Sequence, residues 1–184
     1  MNTRKIALFI DRDGVINDTV DRGEVFFVKG KKVRWTAPFN REEFKFKPGV
    51  HNALAATKSL GYMNILVTNQ PDVGYGNMTV EEHDHMMFLV RQLPLDDIYI
   101  CLHTRFDTCG CKKPLPGMIT EAAIKWDIDL PRSFVVGDTA NDVGAGKAAG
   151  CRTIILDHPY NQDVATDVRL FDLQELVRFL SRTR

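Results

Sequence analysis

The sequence predicts an α/β fold, a parallel sheet with helices packed on both of its faces. Strand-like and helix-like stretches alternate from one end of the chain to the other, the order that parallel βαβ units require. The strand-like runs are short, apolar and rich in β-formers, as in strands buried on both faces. Several end in acidic, hydroxyl or amide side chains, and the carboxyl ends of parallel strands are where such sheets hold their ligands.

Taken in order, Ile6-Ala7-Leu8-Phe9-Ile10 is the first buried strand, leading into Asp11, Asp13 and Gly14. The polar stretch from Asn17 to Lys47 contains two β-forming runs, 25–28 and 32–35, around Lys29-Gly30-Lys31. It reads as a small hairpin, a flap placed beside the two acids. Pro48-Gly49 opens a helix to about Leu60, with Pro48 suited to its first turn and Gly61 to its stop. Asn64-Ile65-Leu66-Val67 is the second buried strand and delivers Thr68-Asn69-Gln70. A Gly-rich loop at 72–77 precedes the capping-box pattern Thr79-Val80-Glu81-Glu82, which starts a helix running to about Gln92.

A third strand at 97–101 leads into a loop carrying cysteines at 101–111, and Pro116-Gly117 begins a helix that ends near Trp126. Ser133-Phe134-Val135-Val136-Gly137 is a strand ending at Asp138, and 141–149 is a short helix stopped by Gly150. The last clear strand is 152–156. Asp172 and Glu175 cap a final helix with Leu173, Leu176, Val177 and Leu180 on one face. No repeat, low-complexity tract or linker interrupts this order, so a single domain over 1–184 is expected, with 18–47 as an insertion.

Composition narrows the functional classes. Lys+Arg and Asp+Glu balance at 24 each, so no global field draws the chain to nucleic acid or anionic lipid. No apolar run approaches the roughly 20 residues of a membrane span, and Asp11 ends the first apolar run too early for a signal peptide. A cytoplasmic protein acting without nucleic-acid or membrane partners, as a monomer, is the expectation. Of the four cysteines, Cys101, Cys109 and Cys111 crowd together with His103 between them. That pattern suits a metal in a reducing compartment better than a disulfide framework. A tetrahedral Cys₃His zinc site and a buried or redox-active cysteine cluster both remain open from spacing alone.

Asp11 and Asp13 point to a divalent cation and an anionic substrate, because two adjacent anions are costly unless a cation neutralises them. Four strand ends carry polar cargo: Asp11 with Asp13, Thr68 with Asn69, Lys113 beyond the cysteine loop, and Asp138 with Asp142. Convergence on one crevice would give Mg²⁺ its hard oxygen ligands and leave Lys113 and Thr68 for phosphoryl oxygens. Taken alone, Asp138 could merely cap its helix and Lys113 could be a solvated loop charge. Their joint occurrence at four strand ends favours a site.

These residues resemble the haloacid dehalogenase superfamily of phosphohydrolases. The likeness runs from residue 6 to about 156. It rests on four motifs in order: Ile10-Asp11-Arg12-Asp13-Gly14-Val15-Ile16-Asn17, Val67-Thr68-Asn69-Gln70, Lys113-Pro114 and Gly137-Asp138-Thr139-Ala140-Asn141-Asp142. It implies a Rossmann-like sheet without a large cap, bearing a hairpin flap and a zinc loop. Asp11 is then the nucleophile and Asp13 the general acid and base, with Thr68 and Lys113 stabilising the phosphoryl group. Mg²⁺ is implied on Asp11, the backbone carbonyl of Asp13, and Asp138, with Asp142 in support.

Within that superfamily, D-R-D-G, T-N-Q and C-x-H…C-x-C-K-K-P resemble the D-glycero-D-manno-heptose 1,7-bisphosphate phosphatases and the related histidinol-phosphate phosphatases. The likeness implies Zn²⁺ on Cys101, His103, Cys109 and Cys111, clipping the loop that places Lys112 and Lys113. A small phosphorylated metabolite is the implied partner. Loss of the C7 phosphate from the heptose bisphosphate is the expected reaction, and hydrolysis of histidinol phosphate is the alternative. Asn69, Gln70, Lys112 and Tyr75 are the expected substrate contacts.

Two departures stand out. Tyr75 and Lys112 occupy positions where the heptose enzymes carry arginines, and neither supplies a bidentate fork. Lys29, Lys31, Lys32 and Arg34 of the insertion could replace that grip, although a solvated hairpin is the plainer reading. Trp35 could stack on a sugar or simply pack. Gly144-Ala145-Gly146-Lys147 lacks the upstream Gly and trailing hydroxyl of a phosphate loop. His83 and His85 cannot share a helix face and are expected at the surface, and His51 and His158 have no ligand partner at useful spacing. A zinc-bearing nucleic-acid binder or end-processing enzyme conflicts with zero net charge. A silent scaffold conflicts with the presence of both nucleophile and acid.

Overall fold

A computed structural model describes residues 4–183. In chain order it contains β1 (Ile6–Ile10), β2 (Val20–Val28), β3 (Lys31–Thr36), α1 (Val50–Ser59), β4 (Tyr62–Asn69), the one-turn α2 (Asp72–Tyr75), α3 (Val80–Val90) and β5 (Asp97–Cys101). There follow α4 (Gly117–Trp126), β6 (Phe134–Gly137), α5 (Ala140–Ala149), β7 (Arg152–Leu156), β8 (Val168–Leu170) and α6 (Leu173–Arg182). Six strands form one sheet in the order β5-β4-β1-β6-β7-β8, every neighbouring pair parallel.

The order explains where a ligand can sit. From β1 the chain winds outward to β4 and β5, then returns to the other side of β1 for β6, β7 and β8. Connections therefore leave β1 and β6 in opposite directions and open a crevice beyond their carboxyl ends. Ile10 pairs in register with Val136, and the Asp11 N–H donates to the Val136 carbonyl at 2.9 Å. Asp11 and Asp138 are thus delivered side by side at the switch point.

The inner strands are largely apolar because both of their faces are covered. Leu8 and Ile10 of β1 pack with Leu54, Met86, Val136, Leu176 and Leu180 on the face bearing α1, α3 and α6. Ala7 and Phe9 point the other way, against Ile65, Val67, Ile119, Ala122 and Ala145 under α4 and α5. Leu8 and Phe9 are wholly buried, each contributing about 2–3 kcal/mol of transfer free energy. That two-sided burial holds the strand ends rigid.

Four details differ from the sequence reading. Gly49, at φ 74°, is the N-cap of α1, so Pro48 lies outside its first turn. The Gly-rich segment after β4 closes into α2, ended by Gly76 in the left-handed region. The short β8 adds an edge strand that three residues were too few to announce. His83 is buried, not at the surface, because it continues the α3 stripe of Met86, Met87 and Val90 at helical spacing. Among the described residues, no helix is long and apolar enough to cross a membrane.

The excursion between β1 and α1 is the antiparallel pair β2–β3, separate from the main sheet. Arg22 fixes its base, holding Glu43 through bonds of 2.6 and 2.7 Å and lying 4.1 Å over the Phe39 ring. The tip reaches the cysteine loop, where the Arg105 guanidinium donates to the Lys29 carbonyl.

Candidate active site

Beyond β1, β4 and β6 lies a cleft of about 540 Å³, lined by Asp11, Asp13, Asn69, Asp72, Lys112, Lys113 and Asp138, and by Thr19, Trp35 and Tyr160 on the hairpin side. Lys113 is its central cation. Its Nζ is 2.9 Å from Asp11 Oδ1 and 2.5 Å from Asp142 Oδ1, and the side chain is 3% exposed. Its backbone is clamped from β4: the Asn69 amide donates to the Lys113 carbonyl and accepts from its N–H, both at 3.0 Å. Burial opposes its charge, but Asp11 and Asp142 outweigh burial and hold the ammonium protonated.

Asp11, Asp138 and Asp142 place carboxylate oxygens within 4.8 Å of one another. One lysine does not balance them. Burial pushes Asp11 up to about 6 against the opposing charge of Lys113, and repulsion from Asp142 and Asp13 adds to the rise. Burial and then repulsion from Asp142 and Asp11 push Asp138 well above the ordinary carboxylate range. A buried, oxygen-only, anionic cluster has the donor chemistry of a hard divalent cation such as Mg²⁺. Close packing preserves it: a Cβ on Gly14, whose φ is +81°, would stand 2.1 Å from Asp138 Oδ2. A Cβ on Gly137 would stand 2.2 Å from the Asp142 side chain. Asp142 also accepts from the Thr139 N–H at 3.0 Å and its hydroxyl at 2.6 Å, capping α5.

Asp13 is held by four donors. Arg12 Nε and Nη2 and the Asn17 amide reach its Oδ1 at 3.1, 2.9 and 2.9 Å, and the Gln70 amide reaches Oδ2 at 2.7 Å. Gln70, expected at the substrate, is instead 1% exposed and spends its second contact on the Thr68 hydroxyl at 2.9 Å. Thr68 is itself fully buried at the end of β4. Tyr75 lies apart from this cleft: its hydroxyl accepts from the Arg105 N–H at 2.8 Å and its ring meets Phe106 edge-on. Lys112 lines the cleft, with Nζ donating to the His103 carbonyl at 2.7 Å.

Cys101, His103, Cys109 and Cys111 also form a cluster within 4.8 Å. Cys111 Sγ is 3.2 Å from Cys101 Sγ and 3.3 Å from His103 Nδ1, while Cys101 Sγ is 3.5 Å from that nitrogen and 4.0 Å from Cys109 Sγ. A tetrahedral ion with bonds of ~2.0–2.3 Å spaces its ligands by about 3.3–3.8 Å, so this quartet fits Zn²⁺. The loop ends two residues before Lys113.

Sequence reasoning missed several residues. Arg12, wholly buried, was visible only as the middle of a motif. Asn17 and the 157–161 turn carry no periodic signal. From that turn His158 Nε2 sits 2.8 Å from the Gly14 carbonyl, Tyr160 donates to Asp138 Oδ2 at 2.5 Å, and Asn161 donates to the Asp138 carbonyl at 2.8 Å.

A family model for haloacid dehalogenase-like hydrolases matches residues 9–150. A D-glycero-beta-D-manno-heptose-1,7-bisphosphate 7-phosphatase of Helicobacter pylori is 36% identical over 163 residues, covering 85% of each chain. The D-glycero-alpha-D-manno-heptose-1,7-bisphosphate 7-phosphatase of Burkholderia mallei is 34% identical, covering 82% of this chain and 78% of its own. Among solved structures, the D,D-heptose 1,7-bisphosphate phosphatase of B. bronchiseptica, complexed with magnesium and phosphate, superposes with a TM-score of 0.77 at 27% identity. That match covers 97% of this chain and 100% of the other. With the matched model covering well over half of the chain and all four motif-bearing strand ends, the chain belongs to the haloacid dehalogenase-like hydrolases.

Proposed function

We propose that the chain is a Mg²⁺-dependent phosphatase that removes the C7 phosphate of a D-glycero-D-manno-heptose 1,7-bisphosphate. The observation that carries this reading is the Asp11–Lys113–Asp142 contact beside Asp138 at the switch point. Relatives named for that reaction, matched over most of both chains, support the substrate.

Asp11 would hold Mg²⁺ together with the Asp13 carbonyl and Asp138, Asp142 standing behind them. The bound cation offsets the repulsion between an anionic nucleophile and an anionic phosphate. An Asp11 carboxylate oxygen attacks phosphorus in line, the bond from phosphorus to the C7 oxygen breaks, and Asp13 protonates the departing oxygen. Asp13 then takes a proton from water, whose oxygen displaces Asp11 from the aspartyl-phosphate and releases inorganic phosphate. Lys113 and Thr68 bear on the non-bridging oxygens, where positioning and charge stabilisation supply most of the acceleration. The contacts of Arg12, Asn17 and Gln70 aim Asp13.

A second phosphate finds a counterpart next door. A cavity of about 440 Å³ shares Lys112, Lys113 and Asn141 with the cleft and adds Lys31 from the hairpin and Arg105 from the cysteine loop. Among the described residues, Lys31, Arg105 and Lys112 pair with no carboxylate. These cations suit an anomeric phosphate. Zn²⁺ on Cys101, His103, Cys109 and Cys111 would be structural, closing the loop that supplies Arg105, Lys112 and Lys113.

The test is phosphate release with Mg²⁺ from both anomers of the heptose bisphosphate and from histidinol phosphate, wild type against Asp11→Asn. Turnover of the bisphosphate, lost by ~10⁴-fold in the variant, is expected. Faster hydrolysis of histidinol phosphate would reassign the substrate, and an active variant would remove the nucleophile.

A further inference from the structure

Outside the four motifs, the turn after β7 makes a second connection to the metal-binding carboxylates. Tyr160 donates its phenolic proton to Asp138 Oδ2 at 2.5 Å. Thr19, at the root of the hairpin, donates to the phenol oxygen at 3.3 Å, which leaves the phenol proton free to point only at Asp138. Two aromatic neighbours hold the ring. His158 stacks on it with centroids 4.9 Å apart and planes 4° apart, and Trp35 of β3 lies 5.2 Å away. His158 in turn reaches the Gly14 carbonyl at 2.8 Å. Gly14 is the residue whose missing Cβ leaves room for Asp138 Oδ2.

A carboxylate with one oxygen fixed this way has one oxygen left to offer. Asp138 is 3% exposed, its carbonyl is already taken by Asn161, and its Oδ2 is pressed between Gly14 and the phenol. The phenol therefore engages Oδ2, and Oδ1 is the oxygen that Asp138 keeps to offer the cation. Groups that orient a ligand typically change metal affinity by 10–100-fold.

We propose that Tyr160 is a positioning residue that presents Asp138 to the divalent cation, braced by Thr19 and Trp35 of the hairpin segment. The hairpin then serves the metal centre as well as the substrate, since its seating holds the ring that holds the ligand. The inference rests on the reading of Asp138 as a cation ligand.

Mg²⁺ binding to the full-length, zinc-replete protein, dialysed free of Mg²⁺ and titrated by calorimetry, tests it. Tyr160→Phe keeps the ring and removes the donor. It should bind Mg²⁺ about 10-fold more weakly, with zinc content and the Mg²⁺-free melting midpoint as in wild type. Wild-type affinity, or a weakened affinity that comes with a lowered Mg²⁺-free midpoint, overturns the role of Tyr160. Thr19→Val preserves Tyr160 itself and should weaken binding about threefold, the loss of one long neutral hydrogen bond; if Tyr160→Phe does not fold, wild-type affinity in Thr19→Val is the overturning result. Asp138→Asn separates the two readings. Wild-type Mg²⁺ binding in that variant removes Asp138 as a ligand, whereas lost binding there with an unaffected Tyr160→Phe removes only Tyr160.

Discussion

The reaction centre and the excursion that roofs it are built in opposite ways. Asp11, Thr68 and Asp138 stand at or just beyond the ends of strands buried on both faces, and Lys113 is clamped to β4 through Asn69. Each of their polar contacts is short and internal. The hairpin and the cysteine loop are largely exposed, carry Lys31 and Arg105 with no carboxylate partner among the described residues, and are joined by the hydrogen bond from Arg105 to the Lys29 carbonyl. Rigid strand ends suit groups that must sit within fractions of an ångström of a reacting atom. Peripheral loops suit groups that choose a substrate. The two regions touch at Trp35 and Tyr160.

The sharpest way to break this division is at the nucleophile. Asp11→Asn should lower kcat by ~10⁴-fold with little change in KM, read as phosphate release at saturating Mg²⁺. A KM effect of the same size would move Asp11 into the substrate-binding class. Next in size is the cysteine loop. Cys109→Ser should reduce bound zinc and lower activity about 10- to 100-fold, through Lys112 and Lys113 downstream. Activity that survives with zinc gone would detach the loop from the reaction centre.

The double variant Lys31→Ala/Arg105→Ala sharpens the comparison from the other side. KM for the bisphosphate should rise about 10-fold, ~1.4 kcal/mol, while KM for a sugar monophosphate stays put. Equal effects on both substrates would place these cations at the transferred phosphate.

The smallest effect is expected far from the cleft, at the opposite end of the sheet. Asp97 begins β5; burial pushes its carboxyl up, but bonds from Lys125 at 2.8 Å, Trp126 Nε1 at 2.7 Å and the Ile98 N–H hold it down at about 2. A folded value below the unfolded one of about 3.9 stabilises the protein above pH ~4. That contribution fades as the pH falls toward 2. Asp97→Asn should cost ~1 kcal/mol at neutral pH, after screening at this partly exposed pair, and flatten the acid limb of the melting curve. Unchanged acid sensitivity would assign that limb to other carboxylates.

Much of this organisation was legible in the residues themselves. The four inner strands were readable because two-sided burial writes itself as apolar runs, and the caps at Thr79 and Asp172 were readable because capping is local. Asp11, Lys113 and Asp138 were readable because strand ends of a parallel sheet share one edge. His83 was misread because a single polar residue on an apolar helix stripe looks exposed until the stripe is turned inward. Gln70 was expected at the substrate through the family resemblance, and its amide turns back onto Asp13.

The sequence by itself determined the longer strands and helices and the set of acids and cations that the sheet would gather, because alternating period and burial are properties of short segments. Only the tertiary structure decided the partners: Gln70 for Asp13, Asn69 for the Lys113 backbone, and Tyr160 for Asp138. Those contacts join residues 22 to 57 positions apart. No local pattern encodes such pairs, since hydrogen-bond geometry is fixed only once packed strands and loops bring the groups within reach.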